Sequence, residues 1–189
     1  IEEMRLKLVN GLDEPRYQHT LGVMYTAASM AMCHGENVEN ALVAGLLHDC
    51  AKCISGEKKI HLCEKYGLPI SNEEMQNPGL LHSKLGAYLA GHKYGVEDQS
   101  VLDAICYHTT GRPNMTLLDK IIYIADYIEP SRKPVPDLDR IRKLAFEDLD
   151  QTMKAILENT ISYLQKNNKP FDSMTQKTYD SYKSETSHP

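Results

Sequence analysis

The sequence predicts an all-α fold, a compact bundle of about eight or more helices, and three observations carry that prediction. Apolar residues recur at three- and four-residue steps along most of the chain, the period of a helix with one buried face. Capping residues, glycines and prolines punctuate those stretches at helix-length intervals. Strand-like alternation of apolar and polar residues hardly appears. With 189 residues, 41% of them hydrophobic and 25% charged, the chain suits one domain around one substantial core. Having no tryptophan and only two phenylalanines, it must build that core from Leu, Ile, Val, Met, Ala and Tyr.

The elements follow in order. Asp13 is placed to cap a helix with Pro15 in its first turn, running to about Cys33 and stopping near Gly35. Its packed stripe is expected at Leu21, Met24, Tyr25, Ala28 and Met32, with His19 on another face, towards a cleft. Asn37 caps the next helix, whose Val38, Ala41, Leu42, Gly45 and Leu46 face inward and which ends on His48 and Asp49. A further helix covers Lys58 to Tyr66, and Ser71 with Glu74 has the spacing of a capping box. GLLHSKLGAYLAGHKYG is a helix with small residues Gly86, Ala87 and Ala90 that admit a close neighbour. VEDQSVLDAICYH, TLLDKIIYIADYI and DLDRIRKLAFEDLDQTMKAILENTISYLQ continue the helical period, with the main break at Pro130, Pro134 and Pro136. Residues 1–168 then form a single domain, and 169–189 a tail with room for a short helix around Met174, Thr178, Tyr179 and Tyr182.

Composition narrows the function. A net charge of −5 without a long basic run argues against nucleic acid as a partner. No apolar run approaches a bilayer-spanning length and the start has no signal-peptide core, so a cytoplasmic protein without a membrane partner is expected. Five cysteines, an odd number, are expected as reduced thiols, and Cys50-x-x-Cys53 has neither a second pair nor a preceding strand to make it a metal or redox motif.

Among the eight histidines, His34, His61, His92 and His188 need no explanation beyond surface or helix-end positions. The others form an ordered series: His19, then His48-Asp49, then His82, His108 and Asp126. Imidazoles and carboxylates are the ligand set of borderline divalent cations, and facing helices of a bundle can aim such side chains at one point. His48 and Asp49 diverge by about 100° on a helix, but at its C-terminus an ion off the end meets both, favoured by the unpaired carbonyls. Asp126, among the isoleucines and tyrosines of IIYIADYI, requires a partner: a metal, or a salt bridge to Arg132 or Lys120.

These residues resemble the HD-domain metal-dependent phosphohydrolases. More closely, RYQHTLGV, LLHDCAK, LLHSKLGA, YHTTGR and DKIIYIADYIEPSR are similar to the YqeK family, over roughly Arg16 to Arg142. The resemblance implies a compact HD-domain helical bundle that hydrolyses diadenosine tetraphosphate symmetrically to ADP. It further implies two divalent ions, iron by family habit with manganese also acceptable. His19, His48, Asp49 and Asp126 would hold one ion, and Asp49 would bridge to a second held by His82 and His108. A hydroxide bridging the ions would attack, in the manner of two-metal hydrolases. Asp49 and Lys52 are the candidate catalytic residues, Lys52 as a cation that neutralises phosphoryl charge.

For the substrate, a dinucleoside polyphosphate or nucleoside diphosphate, the candidate contacts are Lys52, His82, the polar turn Thr109, Thr110 and Gly111, Arg132 as a forked donor, and Arg16. Tyr17 and Tyr88 are expected to pack rather than to stack on a base. The family further suggests a homodimer. Two alternatives stand beside this reading: an HD phosphohydrolase of another nucleotide, and a non-catalytic, nucleotide-sensing helical module stiffened by metal.

Overall fold

The computed structural model describes residues 1–167 and 172–184. Among these, eleven α-helices and one 3₁₀ turn form an all-α bundle with no strand. Helix α1 (Glu2–Val9) precedes every element expected from sequence. It shows little amphipathic signal, and is held by the ion pairs Arg5–Glu2 and Lys7–Glu3 and by one buried residue, Leu8.

Helix α2 (Glu14–His34) starts where Asp13 accepts from the Arg16 N–H and stops at Gly35, whose φ of 76° suits a residue without Cβ. Its buried face differs from the expected stripe. Tyr25 and Met32 are 57% and 68% exposed, whereas Thr20, Val23, Ala27, Met30 and Ala31 are buried with Met24 and Ala28. The expectation followed the three- and four-residue spacing, but the buried face is rotated from it and sets Met24 and Met30 among small residues that let α3 approach closely. Helix α3 (Val38–Leu47) lies against this face, and a Cβ on Gly45 would stand 2.8 Å from the Met24 Cα.

Helix α4 (Gly56–Lys65), the capping-box helix α5 (Asn72–Gln76) and the 3₁₀ turn Pro78–Leu80 lead into α6 (Leu81–Tyr94). A small core of Ala51, Cys63, Leu81 and Leu85 joins this corner. Helices α7 (Gln99–Tyr107) and α8 (Leu117–Ile128) complete the main core with α2 and α3. The long pattern after Pro136 is two helices rather than one, α9 (Leu138–Leu144) and α10 (Leu149–Lys166). They are separated because the Asp148 side chain turns back to cap α10 at the Gln151 N–H. Helix α11 (Ser173–Ser184) occupies the place expected around Met174 to Tyr182, packs on α10, and contributes Tyr182 to the main core. The expected boundary at residues 168 and 169, and His188, lie outside the described residues. Among the described residues no helix is long and apolar enough to cross a membrane, and all five cysteines are free thiols.

Candidate metal centre

Four histidines and two aspartates from five helices converge at one end of the bundle. His19 comes from the second turn of α2, His48 and Asp49 from the end of α3, His82 from the first turn of α6, His108 from the end of α7 and Asp126 from the last turn of α8. One local device orients three of the rings. The Nδ1 of His48, His82 and His108 lies 2.7, 2.6 and 2.7 Å from the carbonyl oxygen three residues earlier, of Gly45, Gly79 and Ile105. A carbonyl only accepts, so each Nδ1 donates and carries the ring proton. The Nε2 of each is then a bare lone pair turned inward, the tautomer a metal ligand needs.

Asp49 is the hub of these lone pairs. Its Oδ1 lies 3.2 Å from His82 Nε2 and 3.6 Å from His108 Nε2, and its Oδ2 3.5 Å from His48 Nε2. Asp126 Oδ1 sits 3.0 Å from His19 Nε2 and 3.9 Å from His48 Nε2. Ligand atoms within 4.8 Å of one another thus occur in two overlapping sets, His19 with His48 and Asp126, and His48 with Asp49 and His108. The donor set fits divalent metal. His48 Nε2 and Asp49 Oδ1 are buried with no hydrogen-bond partner, and the Nε2 atoms of His82 and His108 face each other at 3.1 Å. Such groups are unfavourable together unless a cation lies among them.

The electrostatics agree. Burial, above all, lowers the His48 and His82 pKa values to about 4, so both rings are neutral near pH 7. Burial works against the Asp49 carboxylate, but the histidines around it, His48 foremost, and the Lys52 charge hold its pKa well below the ordinary value. Asp126 is likewise held low, against burial, chiefly by His19. For His19 burial is outweighed by Asp126, Glu129 and Asp49, which together raise its pKa.

The remaining candidates divide. Arg16 Nη1 donates to Asp49 Oδ2 at 2.8 Å, and Lys52 Nζ lies 3.6 Å from Asp49 Oδ1 and 3.1 Å from His82 Nε2. Thr109 Oγ1 is 3.2 Å from the Nε2 of both His82 and His108. Thr110 and Gly111 turn elsewhere: the Thr110 hydroxyl donates to Gly111 O, the Gly111 N–H donates to Tyr107 O, and Gly111 is buried. Arg132 lies over the Tyr127 ring, 5.6 Å from its centroid, and Lys120 pairs with Asp150, so neither is the partner of Asp126. Tyr88 is stacked between Tyr66 and His92, a packing role. Arg16, Lys52, Thr109 and Arg132 line a cleft of about 1420 Å³ that opens from the cluster.

Sequence reasoning missed Glu129. It is buried, its Oε1 stands 3.0 Å from His19 Nδ1, and the Ser131 hydroxyl and N–H both donate to it, so it fixes the His19 ring as the carbonyls fix the other three. A Cβ on Gly22 would come within 2.5 Å of Glu129 Oε2, so this glycine makes the room. The available signal was the pairing of His19-x-x-Gly22 with an acidic residue at the end of DYIE, a long-range pairing without local periodicity.

The HD domain model matches residues 16–131. The chain is 44% identical over 169 residues to the symmetrical bis(5'-nucleosyl)-tetraphosphatase of Bacillus subtilis (strain 168), covering 89% of this chain and 90% of that one. Its identity to the protein of the same name from Halalkalibacterium halodurans is 43%, covering 89% of each. A crystal structure from Clostridium acetobutylicum, described as a predicted HD superfamily hydrolase involved in NAD metabolism, is 43% identical. It superposes with a TM-score of 0.94 over 97% of each chain.

Proposed function

Because the chain belongs to the HD-domain family, we propose that it is a metal-dependent phosphohydrolase that cleaves diadenosine tetraphosphate symmetrically to two molecules of ADP. The observation that carries this reading is the convergence of four Nε2 lone pairs on two carboxylates, each ring tethered through its Nδ1. His19, His48, Asp49 and Asp126 would hold one divalent ion and Asp49, His82 and His108 a second, iron or else manganese. When bound, the ions supply Lewis acidity and a water made acidic enough to attack phosphorus near neutral pH.

The chain's own groups do the rest. Lys52 and Arg16, both beside Asp49 at the cleft wall, are placed to draw the tetraphosphate in and neutralise charge on the oxygens of the phosphorus under attack. Arg132, on the same wall, offers a planar fork to a more distant phosphate. Thr109 supports His82 and His108 and presents a hydroxyl to the cleft. The oxygen of water joins one central phosphorus, the central P–O–P bridge breaks on the other side of that phosphorus, and each half leaves as ADP. An open cleft beside the ligands, rather than a closed cage, favours catalysis over a purely structural metal. A homodimer in the cytoplasm completes the reading.

The deciding experiment is chromatography of the products after iron-loaded protein is incubated with diadenosine tetraphosphate, alongside Asp49→Ala. ADP as sole product, absent with the variant, is expected. AMP with ATP would overturn symmetrical cleavage, and equal turnover by the variant would overturn the metal site.

A further inference from the structure

Among the described residues, Lys59 is the one lysine that is buried. Its place does not favour a cation: it stands near the start of α4, where the helix dipole prefers an anion, and it forms no ion pair among the described residues. Burying an ammonium without a carboxylate is costly. Burial, and then the charge of Lys52, lower its pKa, with Asp49 the main opposing charge. The one partner of its Nζ is a backbone carbonyl, that of Lys52 at 3.1 Å.

That carbonyl has no other donor among the described residues. Helix α3 ends at Leu47, and the chain then makes tight turns in which Cys50 N–H donates to Leu47 O, Lys52 N–H to Asp49 O and Ile54 N–H to Ala51 O. In a continuing helix Lys52 O would accept from residue 56, but Gly56 begins α4 instead, and the Lys59 ammonium takes the orphaned acceptor. The donor is firmly mounted. One turn further along α4, Cys63 is buried in the small core with Ala51 and Leu81, the residues just before Lys52 and His82. The Lys52 side chain runs the other way, into the cleft, whereas Lys59 does not line it.

We propose that Lys59 is a positioning residue, which grips Lys52 from behind through its carbonyl and so keeps the Lys52 ammonium beside the metal centre. This rests on the reading above that Lys52 acts on a phosphate of the substrate, and it adds what holds Lys52 there. A lysine is a point charge on a flexible stem, so fixing its backbone removes part of the freedom that would carry the charge away from the phosphate. The metal ligands do not depend on this grip, because the His48 ring is tethered to Gly45 O and Asp49 is held by Arg16.

The test is a double-mutant cycle on the metal-loaded full chain with Lys52→Met, Lys59→Met and both, and Lys59→Arg beside them. Lys59→Met keeps the unbranched stem and removes a buried charge, a kind of change that folds tolerate. It should lower kcat/KM for diadenosine tetraphosphate about tenfold, with bound metal and helix content unchanged. Added to Lys52→Met it should cost nothing more, because no ammonium is left to place. Lys59→Arg, which still carries a donor, should recover most of the rate. A full rate in Lys59→Met, a loss of the same factor in the Lys52→Met background, or loss of metal would overturn the proposal. Calorimetric binding of inorganic phosphate to the same proteins repeats the cycle without turnover. Coupled losses of phosphate affinity where no ADP is formed defeat the proposed reaction alone, and symmetrical cleavage with losses that simply multiply defeats the positioning role alone.

Discussion

His48 and His82 place a pH dependence in the protein that does not need turnover to be seen. Each is held at a pKa of about 4, mainly by burial, against 6.5 for an ordinary histidine. Between those values the unfolded chain binds more protons than the folded one, so stability falls as pH falls through that window. At pH 5 the loss is about 2 kcal/mol for each ring. His19 acts in the opposite sense, since its raised pKa adds stability at low pH that is lost as pH rises through the raised value, but it is one ring against two. Metal-free protein should therefore unfold at a clearly lower urea concentration at pH 5 than at pH 7; coincident midpoints would contradict neutral, buried rings. Glu129 yields a second expectation at this scale. Gly22→Ala drives a methyl into its carboxylate and releases the His19 ring, so metal affinity should drop about 10- to 100-fold with helix content preserved. A chelator-competition titration reads this directly, and unaltered affinity would show that Glu129 does not orient His19.

Helices set the site through how closely they approach. The Gly45→Ala methyl would meet the Met24 backbone, which cannot swing aside, so α2 and α3 must separate. A destabilisation of about 1–3 kcal/mol is expected from denaturant unfolding, with weaker metal binding because His19 and His48 ride on those two helices. Wild-type stability would mean the contact relaxes freely. This contact also shows what the sequence made legible. The helices were readable from Asp13, Gly35, Asn37 and Ser71, whose caps and stops act locally. The buried face of α2 was not, because it depends on how α3 and α8 pack against it, which spacing along α2 alone does not encode. Helix α11 is coupled to the site in the same non-local way. Gly111, at φ 66° in the turn that follows His108, leaves only 2.6 Å between its would-be Cβ and Thr178 Cγ2. Gly111→Ala should destabilise the fold by more than about 1 kcal/mol. Adding Thr178→Ala should recover the steric part but not the backbone strain, a coupling that a double-mutant cycle measures. Strict additivity would show that α11 does not bear on the turn.

For the whole molecule, the metal centre is a junction of five helices whose shared core is otherwise mainly apolar. The six residues singled out from sequence do meet in space because each stands at a helix end or an inward turn, positions that an ordered His and Asp series marks without any knowledge of packing. The rest of the site was hidden for a physical reason. Glu129 and Gly22 depend on which helices become neighbours, and one residue's type does not encode that. A site assembled from so many elements must also link metal to folding, because the unfolded chain cannot present the six ligands together. Free ion at about 100 times its dissociation constant adds about 2.7 kcal/mol to stability. That corresponds to a rise of several degrees in unfolding temperature for a chain of this size. Adding iron or manganese to chelator-treated protein should produce that rise in a thermal scan. In Asp126→Ala the rise should shrink, since His19 and His48 lose the carboxylate between them. A transition indifferent to metal in the wild-type protein would mean that the six side chains meet without binding an ion, and that the tethered histidines serve only to pack.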